Sequence, residues 1–206
     1  MDIEGININW LGHAGFSIEN KIIIDPYKII VPVKADIVLI THSHYDHCSL
    51  EDIEKVVKDN TVVIAPPDCV STLSKIGKIN LKMITPGQVI DIGDIKIQAV
   101  PAYNINKEFH PKQNEWVGYL IKIKNKLVYH AGDTDLIPEM NNFQVDIALL
   151  PVGGTYTMNA QEAAEAAKRI KAKYVIPMHY TKGIAGSEED ALKLKELLPD
   201  KVIILD

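Results

Sequence analysis

The sequence predicts an α/β fold, a four-layer α/β/β/α sandwich, on three observations. Short apolar runs of strand length recur along the chain, several of them paired as hairpins. Segments with helical spacing bracket those runs in both halves, and strands in the middle with helices outside is the layered arrangement that buries both kinds of apolar face. A chain of 206 residues with 47% hydrophobic content is long enough to build a core as a single domain spanning 1–206.

Taken in order, Ile6 to Trp10, Gly15 to Ile18 and Lys21 to Asp25 read as short strands, with Glu19-Asn20 as a hairpin turn. Ala35 to Thr41 is a largely apolar run, as expected of a strand buried on both faces. Leu50 to Asp59 has helical spacing, with Leu50, Ile53, Val56 and Val57 on one face and Ser49 as its N-cap. Thr61 to Ala65 returns as a strand, and Pro67 to Ile76 reads as a helix that ends at Gly77. Val89 to Ile92 and Ile95 to Val100 flank Gly93-Asp94 as a second hairpin. Trp116 to Ile123 and Leu127 to His130 form a third about Asn125, followed by Val145 to Leu150 as a buried strand. Asn159 to Lys171 is rich in Ala and Glu, and its Asn159-x-x-Glu162 opening resembles a capping box. Strand Tyr174 to Pro177, helix Ser187 to Leu198 and strand Lys201 to Leu205 complete the series. The two halves share this pattern without any short sequence repeat.

The composition excludes several classes of protein. A formal charge of −5 argues against a broad nucleic-acid surface, which needs phosphate-neutralising Lys and Arg. Arg169 is the only arginine, so bidentate guanidinium recognition of phosphate is almost absent. Cys48 and Cys69 are too few for a disulfide framework, no apolar stretch is long enough to span a membrane, and no basic-then-apolar leader opens the chain. The expectation is a cytoplasmic protein with no nucleic-acid or membrane partner. Cys48 beside His47 is a conceivable soft ligand, but a packing thiol is the commoner role. Exposed apolar surface on the outer helices would support a homo-oligomer.

The chemistry gathers at Thr41-His42-Ser43-His44-Tyr45-Asp46-His47, where three imidazoles and a carboxylate follow the apolar run at Ala35 to Thr41. Imidazole and carboxylate are the donors that Zn(II), Fe(II), Mn(II) or Co(II) accept, and side chains spread over a tight turn can point at two adjacent ions. A merely solvated turn is the bland alternative, but it would leave ring nitrogens beside a buried strand without partners. Two further strand-like runs lead into Ala131-Gly132-Asp133-Thr134-Asp135 and into Met178-His179-Tyr180, so the polar chemistry converges on strand ends. The Gly-rich stretch Pro151-Val152-Gly153-Gly154 lacks the Lys-Ser/Thr ending of a phosphate loop and reads instead as a tight turn that lets the backbone approach the pocket.

These motifs resemble the metallo-β-lactamase fold superfamily, whose signature is His-x-His-x-Asp-His. Gly132-Asp133 resembles its bridging-aspartate motif, and Pro177-Met178-His179-Tyr180 its last histidine motif. Trp10 to Phe16, Tyr129 to Thr134 and Pro151 to Met158 extend the likeness toward small metal-dependent hydrolases, among them the L-ascorbate-6-phosphate lactonase-like proteins. The resemblance implies the same four-layer sandwich and two divalent metal ions, Zn first with Mn or Fe as alternatives. His42 and His44 would bind the first ion, Asp46, His47 and His179 the second, and Asp133 would bridge both. Many relatives carry a histidine after the strand that ends near Val100, where this chain reads Pro101-Ala102-Tyr103-Asn104. Either His110 returns from farther along the loop to complete the first site, or that site has fewer protein ligands or is lost.

The implied activity is a metal-dependent hydrolase that uses a metal-bound hydroxide on a small, anionic ester, lactone, thioester or phosphodiester. Asp46 and Asp133 would keep the ions in place, and either would steer the water's proton. His13, on a turn between two strands, is either an orienting partner or proton shuttle, or a satisfied structural histidine. Asp25 is read as a support that accepts hydrogen bonds from the His loop, and His130 as a supporting or packing residue. The resemblance places Thr155, Tyr180 and Lys182 on the substrate side, although some relatives have histidine where Thr155 stands. The alternatives are a non-catalytic or regulatory metal-binding module, favoured only by the missing histidine near Tyr103, and a nuclease-like phosphodiesterase.

Overall fold

A computed structural model describes residues 1–30, 33–77, 79–182 and 184–205. The chain forms two compact units, Met1–Thr85 and Pro86–Asp206, and each contains one sheet.

In the first unit β1 (Asp2–Ile3), β2 (Ile6–Gly12), β3 (Gly15–Ile18), β4 (Ile22–Ile24), β5 (Ile37–Leu39), β6 (Val62–Ala65) and β7 (Asn80–Met83) lie side by side in chain order. Pairing is antiparallel from β1 to β4 and parallel from β4 to β7. The β3–β4 turn runs over Glu19, Asn20 and Lys21; Glu19 and Asn20 are at positive φ (55° and 52°), and the Lys21 N–H donates back to the Ile18 carbonyl at 3.0 Å. Strand β5 is shorter than the apolar run that contains it, for a reason that matters to function. The Thr41 N–H donates to the Asp25 carboxylate at 2.8 Å, so past Ile40 the backbone leaves the ladder for a side chain.

Helix α1 (Leu50–Val56) starts at Ser49, whose hydroxyl accepts from the Asp52 N–H, and stops before Asp59. The Lys58 N–H donates to the Thr61 hydroxyl at 2.9 Å, a local bond that competes with another helical turn. The helix expected over Pro67 to Ile76 is broken into 3-10 turns at Pro67–Cys69 and Ser74–Ile76 around a single α turn, α2 (Val70–Leu73). Its Val, Ser and Thr residues are weak helix formers, and Ser74 donates back to the Ser71 carbonyl. Beneath these helices Ile23, Val38, Ile40, Ile53, Val56, Val63 and Leu73 form one buried cluster with Cys48 and Cys69. Both cysteines are free thiols, and a hydrogen bond with Cys48 together with burial pushes the Cys69 thiol up.

The second unit repeats the plan. Strands β8 (Val89–Ile92), β9 (Ile95–Pro101), β10 (Val117–Ile123) and β11 (Lys126–His130) form an antiparallel meander, and β12 (Ile147–Pro151) and β13 (Tyr174–Met178) add parallel strands beyond β11. Helix α3 (Ala160–Arg169) has the capping box read from sequence: the Glu162 N–H donates to Asn159 Oδ1 and the Asn159 N–H to Glu162 Oε2, each at 2.9 Å. Its buried Ala160, Ala163, Ala164, Ala166 and Ala167 let it lie against β12 and α4 (Glu188–Leu197).

The strand expected at Lys201 to Leu205 is a single bridge from Val202 to Val175. Val175 pairs through both its N–H and its carbonyl, but the next residue on that edge of β13 is Pro177, which has no N–H to extend the ladder. Strand β7 was not foreseen, because Asn80–Met83 alternates polar and apolar residues over only four positions and is largely exposed. Among the described residues no helix is long and apolar enough to cross a membrane.

Candidate metal centre

In the first unit the His loop hangs from the end of β5, and Asp25, at the end of β4, holds it. Asp25 is fully buried and accepts from the Thr41 N–H (2.8 Å), the Thr41 hydroxyl (2.6 Å) and His47 Nδ1 (2.8 Å). A carboxylate only accepts, so His47 carries its proton on Nδ1 and Nε2 is left with the lone pair. The Thr41 hydroxyl donates its hydrogen bond to Asp25 and therefore accepts from His42 Nδ1 at 2.9 Å, which sets His42 the same way. The loop then turns tightly, with the His47 and Cys48 N–H groups both donating to the His44 carbonyl.

This support gathers the donors. His42 Nε2 lies 3.1 Å from His44 Nδ1, and the His42 and His47 rings are 4.0 Å apart. One donor atom each from His13, Asp46 and His47 lies within 4.8 Å of the others. His13 occupies the turn between β2 and β3 at φ 52°, where Trp10 Nε1 donates to its carbonyl at 3.0 Å and its own Nε2 sits 3.0 Å from Asp46 Oδ2. His13, His42 and His47 are buried, and Asp46 is at the margin. Behind the loop, Asp52 receives the Lys28 and Ile29 N–H groups at 2.8 and 3.0 Å. Burial works to raise its carboxyl, but hydrogen bonds from Ser49, the Lys28 backbone and Lys55 hold it below the usual carboxylate range.

In the second unit Asp133 follows β11 and His179 follows β13, and His179 Nε2 lies 2.9 Å from Asp133 Oδ2. The loop after β9 does bring His110 back: its Nε2 is 3.2 Å from the same Asp133 oxygen, and Trp116 packs edge-on against its ring. The stretch from Tyr103 is tied to Thr134 by the Tyr103 N–H to Thr134 hydroxyl bond (3.2 Å), and to Asp135 by the Asp135 N–H to Tyr103 carbonyl bond (2.9 Å) and the Ile105 N–H to Asp135 carboxylate bond (2.8 Å). His130 is fully buried and accepts from the Gly132 N–H at 3.2 Å, a packing and turn-forming role. Thr155 and Lys182 are exposed and Tyr180 is buried. Sequence reasoning missed Thr41, Asn104 and Asp135. Asn104 was visible only as the residue standing where a histidine was expected.

The glycine-rich stretch serves His179. A Cβ on Gly153 would stand 2.5 Å from the His179 carbonyl oxygen and closer still to that of Ala185. Gly153→Ala is therefore expected to push the His179 turn aside, destabilising the protein by about 1–3 kcal/mol and weakening metal binding. Urea denaturation with and without Zn(II) measures both, and a variant unchanged in both would contradict the close packing.

The donor set fits a borderline divalent cation on chemical grounds. His42 and His47 have Nδ1 committed to an acceptor, so each offers the Nε2 lone pair, and buried carboxylates stand beside imidazoles in both units.

Comparison with known proteins agrees. The beta-lactamase superfamily domain matches residues 7–179, a span that runs through both units. The chain belongs to this superfamily, and the two mixed sheets with their helices are those of its α/β fold. More narrowly, it is 39% identical over 186 residues to the UPF0173 metal-dependent hydrolase of Nanoarchaeum equitans, covering 85% of this chain and 84% of that protein. A crystal structure of a protein from Parabacteroides distasonis, assigned as a metal-dependent hydrolase, is 34% identical with a TM-score of 0.83, covering 98% of this chain and 94% of that one. Another, from Thermotoga maritima and assigned as a Zn-dependent hydrolase of the metallo-β-lactamase superfamily, is 27% identical with a TM-score of 0.66, covering 97% and 98%.

Proposed function

We propose that this chain is a hydrolase holding two divalent ions, Zn first and Mn or Fe as alternatives, and acting on a small, anionic ester, lactone, thioester or phosphodiester. His42, His44 and His110 are assigned to the first ion, Asp46, His47 and His179 to the second, and Asp133 to both. The assignment rests on the motif resemblance and on the donor geometry inside each unit. The observation that carries it is Asp133 Oδ2, approached by the Nε2 atoms of His110 and His179 at 3.2 and 2.9 Å.

When bound, such ions lower the pKa of water and offset the negative charge that develops on the substrate. The protein's own residues do the rest. Asp46 and Asp133 fix the donors and take up or return a proton. His13, through its 3.0 Å contact with Asp46, orients that carboxylate or relays its proton. Thr155, Tyr180 and Lys182 are assigned to the substrate side, with Lys182 as a point charge for an anion. The reading as a non-catalytic module rests on the missing histidine near Tyr103, and the 3.2 Å approach of His110 to Asp133 favours the enzyme over it. The protein is assigned to the cytoplasm, and the exposed Leu192 and Leu197 of α4 are the surface on which a homo-oligomer would form.

Metal analysis of protein purified without chelator tests the reading: two tightly held ions per chain are expected, and none would overturn it. A screen of lactones, thioesters and phosphodiesters with Zn(II), Mn(II) and Fe(II) then selects among the substrate classes.

A further inference from the structure

We propose that Asn104 is a positioning residue that sets the protonation of His110 and aims its Nε2 at the first ion. This rests on the reading of His110 as a ligand. Asn104 is buried, and its side-chain oxygen accepts from the His110 N–H at 2.9 Å and lies 3.0 Å from His110 Nδ1. Its amide nitrogen faces Asp135 Oδ1 at 3.1 Å and the Tyr156 carbonyl at 2.9 Å.

Both of those neighbours are acceptors only, so the orientation of the amide follows from its surroundings and is not an arbitrary choice between O and N. With the oxygen turned to His110, Nδ1 must carry a proton, and the neutral imidazole then presents its Nε2 lone pair toward Asp133 Oδ2. A lone pair facing a carboxylate oxygen at 3.2 Å is repulsive, and a cation shared by the two relieves it. Asn104 thus does for His110 what Asp25 does for His47.

It also closes the loop. The Asn104 N–H donates to the His110 carbonyl at 2.8 Å, so backbone and side chain of one residue grip both polar groups of the other. Asp135, through Asn104, Ile105 and Lys107, ties the start of the same loop to the residues just beyond Asp133. On this reading, a seven-residue detour in the chain supplies the imidazole that the family resemblance leads one to expect directly after the strand.

The test uses the full chain with 15N-labelled histidine. In the metal-free wild type, His110 is expected as the Nδ1–H form, and finding Nε2–H would overturn the proposal whatever the fate of the metal assignment. Asn104→Ala is expected to lose that preference and to bind one of its Zn(II) ions about 10–100-fold more weakly in a chelator competition. Asn104→Asp keeps an acceptor toward His110 and should retain the Nδ1–H form, at a cost in stability because its second oxygen then faces Asp135 and the Tyr156 carbonyl. Unchanged Zn(II) affinity together with an unchanged His110 spectrum in Asn104→Ala would also overturn it. His110→Ala separates the two ideas: unchanged metal stoichiometry there refutes the ligand assignment, while the metal-free spectrum still judges Asn104. If the Asn104 variants do not fold, the metal-free wild-type spectrum decides.

Discussion

Asp133→Asn is expected to lose at least one tightly bound ion and to lower turnover of any substrate by more than about a hundredfold. Removing a partner that only orients a ligand costs about 10–100-fold in affinity or activity, so removing the carboxylate proposed to serve both ions is expected to cost more. The local chemistry makes the amide a poor substitute. Asp133 is almost completely buried and offers Oδ2 to two imidazole nitrogens at 3.2 and 2.9 Å. An amide either places an N–H₂ against them or presents a neutral carbonyl, and both remove the negative charge that offsets a dication. Metal content by mass spectrometry and steady-state rates measure the effect. A fully loaded, active variant would rule out the shared role.

Asp25→Ala is the substitution with the largest expected effect on stability, about 3–5 kcal/mol in metal-free protein. It leaves the Thr41 N–H, the Thr41 hydroxyl and His47 Nδ1 without their acceptor in a fully buried site. The hydroxyl of Thr41 then turns, and His42 loses the acceptor that sets its own protonation. Asp25→Asn keeps one acceptor oxygen and tolerates the left-handed backbone at φ 42°, so its loss should be about half as large. Urea denaturation of the two variants measures the difference. A loss below about 1 kcal/mol for Asp25→Ala would show that the loop does not depend on this carboxylate.

Most of the architecture was legible because strands and helices carry their periods in the chain. The Glu19-Asn20 and Asn125 turns, the Ser49 cap and the Asn159-x-x-Glu162 box all stand where composition placed them. What failed to show was decided by single local competitors. Thr61 ends α1 early, Pro177 stops a ladder, and β7, whose alternation spans only four residues, is held by pairing with β6. The donors were legible because histidines and aspartates crowded at such spacing after a buried strand serve few purposes besides holding a cation. Their supports were legible only in part. Asp25 ends an apolar strand, where a buried carboxylate must find donors to accept from. Asn104 and Asp135 lie in irregular loops without period or motif, and their role appears only when a loop of known length is closed in space.

Pro177 has one more consequence, for assembly. A sheet edge with free rungs invites a strand from another copy, and proteins commonly blunt such edges with proline. Past Val175, the outward side of β13 has lost the donor that an incoming strand would need, one residue before Met178 and two before His179. Continuous sheet growth across molecules is therefore disfavoured at this end of the second sheet, next to the strand that delivers a candidate metal ligand. The same residue that cuts short the chain's own final strand protects that neighbourhood from being covered by a foreign one.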